Sequence, residues 1–548
     1  MDGGTQNVYS GGSWSLGEPT SSSNESIYIQ DGSYTMSADK KACSCSVNTG
    51  ATLIVNGGNT LVLTGPVRNG GGTIKMMHNS SILQDDNIVN TGKVDYYRNS
   101  QPMVQYDYTY WGSPVADATV GSFAVGTEGT HIYSWNHLTQ AWVAHIGTDV
   151  MQPGIGYIVR APEPATPAQA SIPAVFNGLF RGIPSNGLIT SPVKQNAWSL
   201  VGNPYPSAVD ADLFIQDPLN EYYFDGTVYF WTHNSGPSSA YAGNGTVSNY
   251  NNDDYTAYNL LGGFPAPSNP SQGSPSQYIG AGQSFMIKAL EYSGAVSFTN
   301  DMRIGGTNNS QFYRASNTAT QTTTSIEKHR VWLQIANATN FKQTLVGYAT
   351  GATNGKDRGF DGEPMDGNAL TFYSLIGAEK FTIQGRALPF EVSDIVPLGY
   401  KTNIAGTHTI SMYLFDGLFT TTDVFLEDTV TGVMHNLKQG NYTFSTTAGT
   451  FNNRFKLKYA NSSLGNDDVV ANSNEVIVYK NGTTLNIASQ SSTLKEVKIF
   501  DLSGRLLATR SNIGNNNIAF ENTNWSNQVI IVQSTTDENI VTTKKVVF

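Results

Sequence analysis

Between Ser26 and Tyr97 the apolar residues come only in short runs, and glycine or asparagine stands between most of them. The runs are Cys43 to Val47, Thr52 to Val55, Thr60 to Thr64, Thr73 to Met76, Ser81 to Leu83 and Lys93 to Tyr96. They are spaced roughly eight to eleven residues apart, with Gly50, Gly57, Gly65, Gly72 and Gly92 at the corners. No run is long enough for a helix, and each reads as a short strand. Stacking such strands gives a β-solenoid, in which each rung buries its apolar face only against its neighbours. A β-sandwich edge produces the same spacing. Residues 1–100 are therefore expected to be β-solenoid-like, capped at both ends, with room for further rungs upstream of Met1.

The remaining chain is β in character too, which makes the whole all-β. With 548 residues there is material for about three or four domains. Charged residues are 13%, while 28 Tyr and 24 Phe supply the bulk, a profile suited to a secreted β-protein with long polar turns. Residues 101–325 are predicted to form an irregular, aromatic-rich β-domain. Rings there cluster beside Pro and Gly in Tyr106 to Pro114, Trp198 to Ser207 and Phe230 to His233, where fixed-φ prolines make rigid corners. Arg160 to Ala174 and Gly262 to Ser276 read as long surface loops, and Ala315 to Ser325 as a linker. Residues 326–462 are predicted to be a β-sandwich, with Trp332 beside Ile335, and Phe425 beside Leu426, buried against facing strands.

Several function classes are disfavoured. The net charge of -11, with Lys and Arg scattered, speaks against nucleic acid, which needs a basic patch. No apolar run approaches the roughly 18 residues that span a bilayer. The opening Met1-Asp2-Gly3-Gly4 lacks the basic and apolar regions of a secretory leader, so the chain is expected to be a mature or truncated form. Cys43 and Cys45, two apart on one strand face, are expected to be buried structural thiols. The sequence has no H-E-x-x-H, G-x-S-x-G, P-loop or helix-opening G-x-G-x-x-G, and His131, His137 and His145 share no strand face. No catalytic residues are assigned, and no enzyme is expected.

Two places invite a ligand. Asp357, Asp361, Glu363 and Asp366, interleaved with Gly359, Gly362 and Gly367, offer carboxylates on a flexible loop, as Ca²⁺ requires. The alternate-position spacing of an EF-hand is missing, and a solvated acidic turn, partly neutralised by Arg358, is the plainer reading of the same residues. Tyr241, Tyr250, Tyr255 and Tyr258 surround Asn251-Asn252-Asp253-Asp254 and would suit the stacking and hydrogen bonding of surface glycans, or simple core packing.

From Glu475 onward, strand-length segments Val476 to Tyr479, Thr484 to Ile487, Val497 to Phe500, Asn517 to Phe520, Val529 to Gln533 and Thr542 to Val547 follow the polar stretch Asn461 to Ser473. The sequence Lys498-Ile499-Phe500-Asp501-Leu502-Ser503-Gly504-Arg505-Leu506, then Gln528 to Val532 and Lys544-Lys545-Val546-Val547-Phe548, resembles the C-terminal sorting domain of type IX secretion system substrates of the Bacteroidota, in its type C form. An ordinary Ig-like terminal domain shares the same strand and turn signals. Upstream phrases such as Gly280 to Phe285, Phe298 to Arg303, Phe381 to Phe390 and Phe451 to Phe455 resemble a block found in proteins carrying that signal. The resemblance implies that residues 463–548 are a linker and an Ig-like sorting domain. Gly504, Arg505, Lys544, Lys545, Val546, Val547 and Phe548 would carry the signal, and the partners would be the translocon pore and its outer-membrane shuttle protein. It implies a cell-surface or extracellular location and a structural or adhesive role. Asp428-Thr429-Val430 resembles the O-glycosylation acceptor of that phylum. The alternative is the non-catalytic C-terminal part of a larger polysaccharide-active enzyme or a carbohydrate-binding protein.

Overall fold

The computed structural model describes residues 5–460 and 476–547, apart from 128, 130, 240, 242–248, 269–272, 311–325, 366–368, 482–483, 490–491, 522–524 and 526–528. The expected linkers Ala315 to Ser325 and Asn461 to Ser473 lie outside these residues. The chain separates into two compact units, 1–461 and 462–548.

The short glycine-punctuated strands do stack as a solenoid of about four turns. Each full turn lays one strand on each of three faces. One face stacks Gln6–Ser10, Ser26–Ile29, Cys45–Asn48 and Val67–Gly70 in parallel, and the second stacks Ser33–Met36, Thr52–Val55, Thr73–Met76 and Val94–Met103. The third carries Lys40–Ala42, Thr60–Leu63 and Ser81–Gln84. Alternation sends Ile29, Met36, Val47, Leu53, Val55, Leu63, Met76 and Ile82 inward, all nearly sealed from solvent. The corner at Gly92 needs glycine twice over. Its φ is 77°, and a Cβ there would lie 2.2 Å from the Asn69 carbonyl oxygen of the rung beneath.

The thiols differ from expectation. Cys45 is buried in its strand, and burial pushes its thiol up to about 12, but Cys43 is only half-buried and precedes that strand. The strand starts two residues later than the apolar run, because Cys43 is spent on the corner, where its carbonyl accepts from the Gly65 amide.

The solenoid runs directly into the aromatic region. Strand Val94–Met103 continues the parallel stack at one end and then pairs antiparallel with Ala174–Pro184. Phrases that read as rigid corners turn out to be locks. Arg303 is buried with its guanidinium 4.7 Å from the centre of the Tyr205 ring. It donates to the Ile82 carbonyl of the solenoid, to Asn186 and Asn300, and to Ser207. Asn309 likewise donates to Ser80 and Tyr96 and accepts from Ala281. Asn203 reaches the carbonyls of Ser207, Ile279 and Gly280.

The third region is two facing sheets. One orders Ile383–Ala387, Phe341–Ala349, Lys328–Ala336, Gly406–Phe415 and Tyr442–Thr446. The other orders Glu379–Phe381, Leu370–Ile376, Ile395–Thr402, Gly449–Lys458, Phe425–Asp428 and Val433–Asn436. Val331, Leu333 and Ile335 enter the core between them. Trp332 does not join Ile335 there. Strand alternation turns it to the opposite face, where it enters the core of the aromatic region and donates to the Gly263 carbonyl. Leu345, Ala352, Phe360 and Ile383 enter that same core, beside Phe214, Phe264 and Phe285. Phe425 and Leu426 separate similarly, with only Leu426 in the core between the sheets.

The segment Gly262–Ser276 is corrected on the same ground. Residues 262–267 are buried against the third region, not looped over the surface. Regions 101–310 and 326–460 are thus joined by one apolar core.

Residues 476–547 form two sheets around their own core. One orders Val476–Asn481, Thr484–Ser489 and Asn517–Phe520; the other orders Leu506–Asn515, Leu494–Asp501, Val529–Thr536 and Val541–Val547.

Arg303→Ala would leave buried carbonyl and amide acceptors without their donor and should destabilise the 1–461 unit by about 3 kcal/mol. Urea unfolding followed by Trp fluorescence checks this, and a change within about 0.5 kcal/mol would show that the lock is dispensable.

Candidate functional site

The carboxylates expected to wrap Ca²⁺ are instead spent on the protein itself. Asp357 accepts from the Thr353 amide and hydroxyl, and Asp361 accepts from the amides of Asp357 and Gly385. Glu363 pairs with Lys288 and lies 3.5 Å from Lys356. Asp366 lies outside the described residues. Arg358 is not the neutralising group. It donates to the carbonyls of Phe224 and Asn220, with its guanidinium 5.0 Å from the Phe224 ring centre. The loop plugs into the aromatic region, where the Gly359 amide donates to the Asp225 carbonyl and the Leu260 amide to the Gly359 carbonyl. Among the described residues, no group of three or more His, Cys, Asp or Glu is placed to hold a metal ion.

The acids at this seam have a distinctive electrostatics. Burial pushes Asp225 and Asp361 up to about 7, although each accepts from backbone amides. Asp254 is likewise pushed up to about 7 by burial, opposed by hydrogen bonds from Ser268 and Ser235. Oδ2 of Asp225 is buried without a hydrogen-bond partner.

The four tyrosines share no single surface. Tyr258 is buried, with its hydroxyl donating to Asp212. Tyr255 is half-buried and hydrogen-bonded to Tyr110, with its ring against Trp231. Tyr241 and Tyr250 do come together, on the wall of a cleft of about 570 Å³ between the aromatic region and the third region. The Tyr250 ring is fixed at 5.3 Å from Tyr108 and 6.0 Å from Trp231, and its hydroxyl donates to the Tyr106 carbonyl at 2.7 Å. Asn251 and Asn252 continue this wall, and Asn340, Lys401 and Asn403 form the other. The ion pair Lys342 to Asp253, at 2.5 Å, ties the walls together, both side chains being largely buried. The second wall was invisible in sequence because it lies about ninety residues or more from the first. Only the Asx turn at Asn337, which accepts from the Thr339 and Asn340 amides, marks its hairpin.

One constellation escaped the reading of dispersed histidines. The hairpin turn brings His145 Nε2 to 2.8 Å from Ser134 Oγ, and His145 Nδ1 to 3.0 Å from Asp149 Oδ2. This is the contact order of a serine nucleophile with its base. Ser134, however, sits mid-strand, with its backbone paired to Val143 on one side and Tyr157 on the other. Asp149 also accepts from the Ile146 amide and so closes the turn. These contacts close the turn that follows the hairpin.

In the C-terminal unit, Gly504 has φ 84° in a tight turn, and Arg505 pairs with Asp501 at 3.0 Å. Lys544, Lys545, Val546 and Val547 pair with Val532, Ile531, Ile530 and Val529, as the outer strand of their sheet. Val546 packs on the unit's core. Phe548 lies outside the described residues. In the first unit, Thr429 stands on an exposed turn, its hydroxyl donating to the carbonyls of Asn453 and Arg454.

The raised seam acids predict an unusual pH response. Their folded values exceed the usual carboxylate value near 3.8, so the stability they lend is complete below that value and is lost as pH rises through about 7. His78 acts oppositely. Burial lowers it to about 4, so its charging opposes folding below about 6.5. The melting temperature of the 1–461 unit should therefore rise between pH 8 and 6.5, and Asp225→Asn should flatten that rise. Scanning calorimetry at the two pH values checks both, and a fall in melting temperature over this window would contradict the assignment.

Two families match the chain, each described as a domain of unknown function: DUF8693 over residues 4–459 and DUF8694 over residues 464–548. No curated protein matches it. The junction between the two matches falls where the chain divides into its two compact units. With its match running from residue 4 to residue 459, well over half the sequence, the chain belongs to the DUF8693 family.

Proposed function

We propose that this chain is a cell-surface or secreted protein of structural or adhesive role. Residues 1–461 form the working body, and residues 462–548 direct export through the type IX secretion system. The observation that carries the reading is the position of Val541–Val547. Among the described residues it is the outermost strand of its sheet, where it pairs with Val529–Thr536. A receptor can add a strand along the outer side of such a strand, with an exposed side chain such as Lys545 supplying selectivity. A module with its own core is also suited to being recognised apart from the body it carries. The translocon pore and its outer-membrane shuttle protein are the partners this reading assigns. The long parallel stack and rigid corners of the body suit a structural surface protein that uses no catalysis.

Deleting residues 462–548 should abolish surface exposure and leave the body in the periplasm. Deleting only 546–548 should remove co-purification with the pore and shuttle. Surface labelling and pull-down read these outcomes. A truncated chain displayed at the normal level would overturn the export reading.

A further inference from the structure

We propose that Lys342 and Asp253 join into an amide, a cross-link that ties the third region covalently to the aromatic region. This goes beyond the structural reading above and does not rest on it. Nζ of Lys342 lies 2.5 Å from Oδ1 of Asp253, and the two side chains are only 12% and 16% exposed. Oδ1 is nonetheless buried without a hydrogen bond of normal geometry. Other lysine pairs, such as Lys288 with Glu363 and Lys356 with Glu379, leave both partners more open to water.

Both groups stand on fixed backbone. Lys342 belongs to strand Phe341–Ala349, where it pairs across to Ile335. Asp253 sits in the short 3-10 turn Asn252–Asp254, its amide donating to the Asn251 side chain and its carbonyl accepting from the Ser268 amide. Held together in this way, amine and carboxyl react as parts of one molecule, because the entropy of bringing them together is already lost in folding.

The surroundings favour the reaction. Burial lowers the Lys342 ammonium from its usual value, against the opposing charges of Asp253 and Asp254, and so favours the free amine that attacks. Asp254 is sealed from solvent, and burial pushes its carboxyl up to about 7, which lets it carry a proton near neutrality. Its Oδ1 is buried with no hydrogen-bond partner.

Lys342 passes one proton to Asp253. The Nζ lone pair then bonds to Cγ of Asp253, Asp254 gives its proton to the departing hydroxyl and regains one from the nitrogen, and the Cγ–O bond breaks to release one water. No oxidant or other reactant is consumed. A buried ion pair becomes a neutral amide, which removes the cost of holding two charges away from water. Lys342 also lines a cavity of about 30 Å³ beside Phe264 and Phe372, the room of one water molecule, while Asp253 opens on the larger cleft through which water departs.

The test is the mass of the purified full chain under denaturing conditions, followed by tryptic mapping. The chain should be lighter than its sequence by one water, cleavage after Lys342 should be blocked, and the peptide carrying Lys342 should be recovered joined to the one carrying Asp253. Lys342→Arg keeps the positive charge without the nucleophilic amine and should have its full sequence mass. Asp254→Asn keeps the shape without the transferable proton. In a chain with unchanged near-UV circular dichroism it should slow the loss of water after refolding from urea by at least about tenfold. Three results would overturn the proposal: a wild-type chain of full sequence mass that trypsin cuts after Lys342, a lost water that maps instead to a succinimide at Asp225-Gly226 or Asp361-Gly362, or joined peptides that persist in Lys342→Arg. Loss of water from Asp254→Asn at the wild-type rate would remove Asp254 from the step. The wild-type mass decides the central point whether or not a variant folds, and it stands apart from the export reading because the chain is purified.

Discussion

The body depends on two neighbouring strands buried on both faces, Lys328–Ala336 and Phe341–Ala349. Lys328–Ala336 sends Val331, Leu333 and Ile335 into the core between the two sheets of the third region, and Trp332 into the core of the aromatic region. Two cores that share a strand cannot be loosened independently, because moving the strand opens both. The acidic loop reinforces the join, since Phe360 packs in the aromatic core while Arg358 and Asp361 satisfy backbone groups on either side.

That join creates the cleft. Tyr250 and Asn251 arrive from the aromatic region, Asn340 and Asn403 from the third, and the Lys342 to Asp253 pair fixes the distance between them. A cleft assembled from two regions keeps its shape only while their relative position is held, which the shared apolar core supplies. The same burial leaves Asp225, Asp254 and Asp361 with proton affinities far from those of ordinary carboxylates.

Much of the fold was legible because its signals are local. Short apolar runs and glycine corners marked the solenoid, since a strand period of two and a corner at positive φ are properties of neighbouring residues. The reading failed where partners are distant. Trp332 and Ile335 lie three apart and so face opposite ways, but sequence could not show that a second core waited on the far side. Gly262–Ser276 looked like a loop because Gly, Pro and Ser mark turns whether or not another region covers them. The acidic run looked like a metal loop because charge is visible in sequence, whereas the amides of Asp357 and Gly385 that absorb it are not. Of the tyrosines, Tyr241 and Tyr250 reach the cleft and Tyr258 is sealed in the core, a division that follows from tertiary packing alone.

The account holds that residues 1–461 are one cooperative body and residues 462–548 a separately folding module. Scanning calorimetry of the full chain and of the chain lacking 462–548 tests this most directly. Two transitions are expected for the full chain, and the deletion should remove the smaller one while leaving the larger at the same temperature and enthalpy. A single transition in the full chain, a larger transition shifted by the deletion, or a body that melts in separate steps would contradict it.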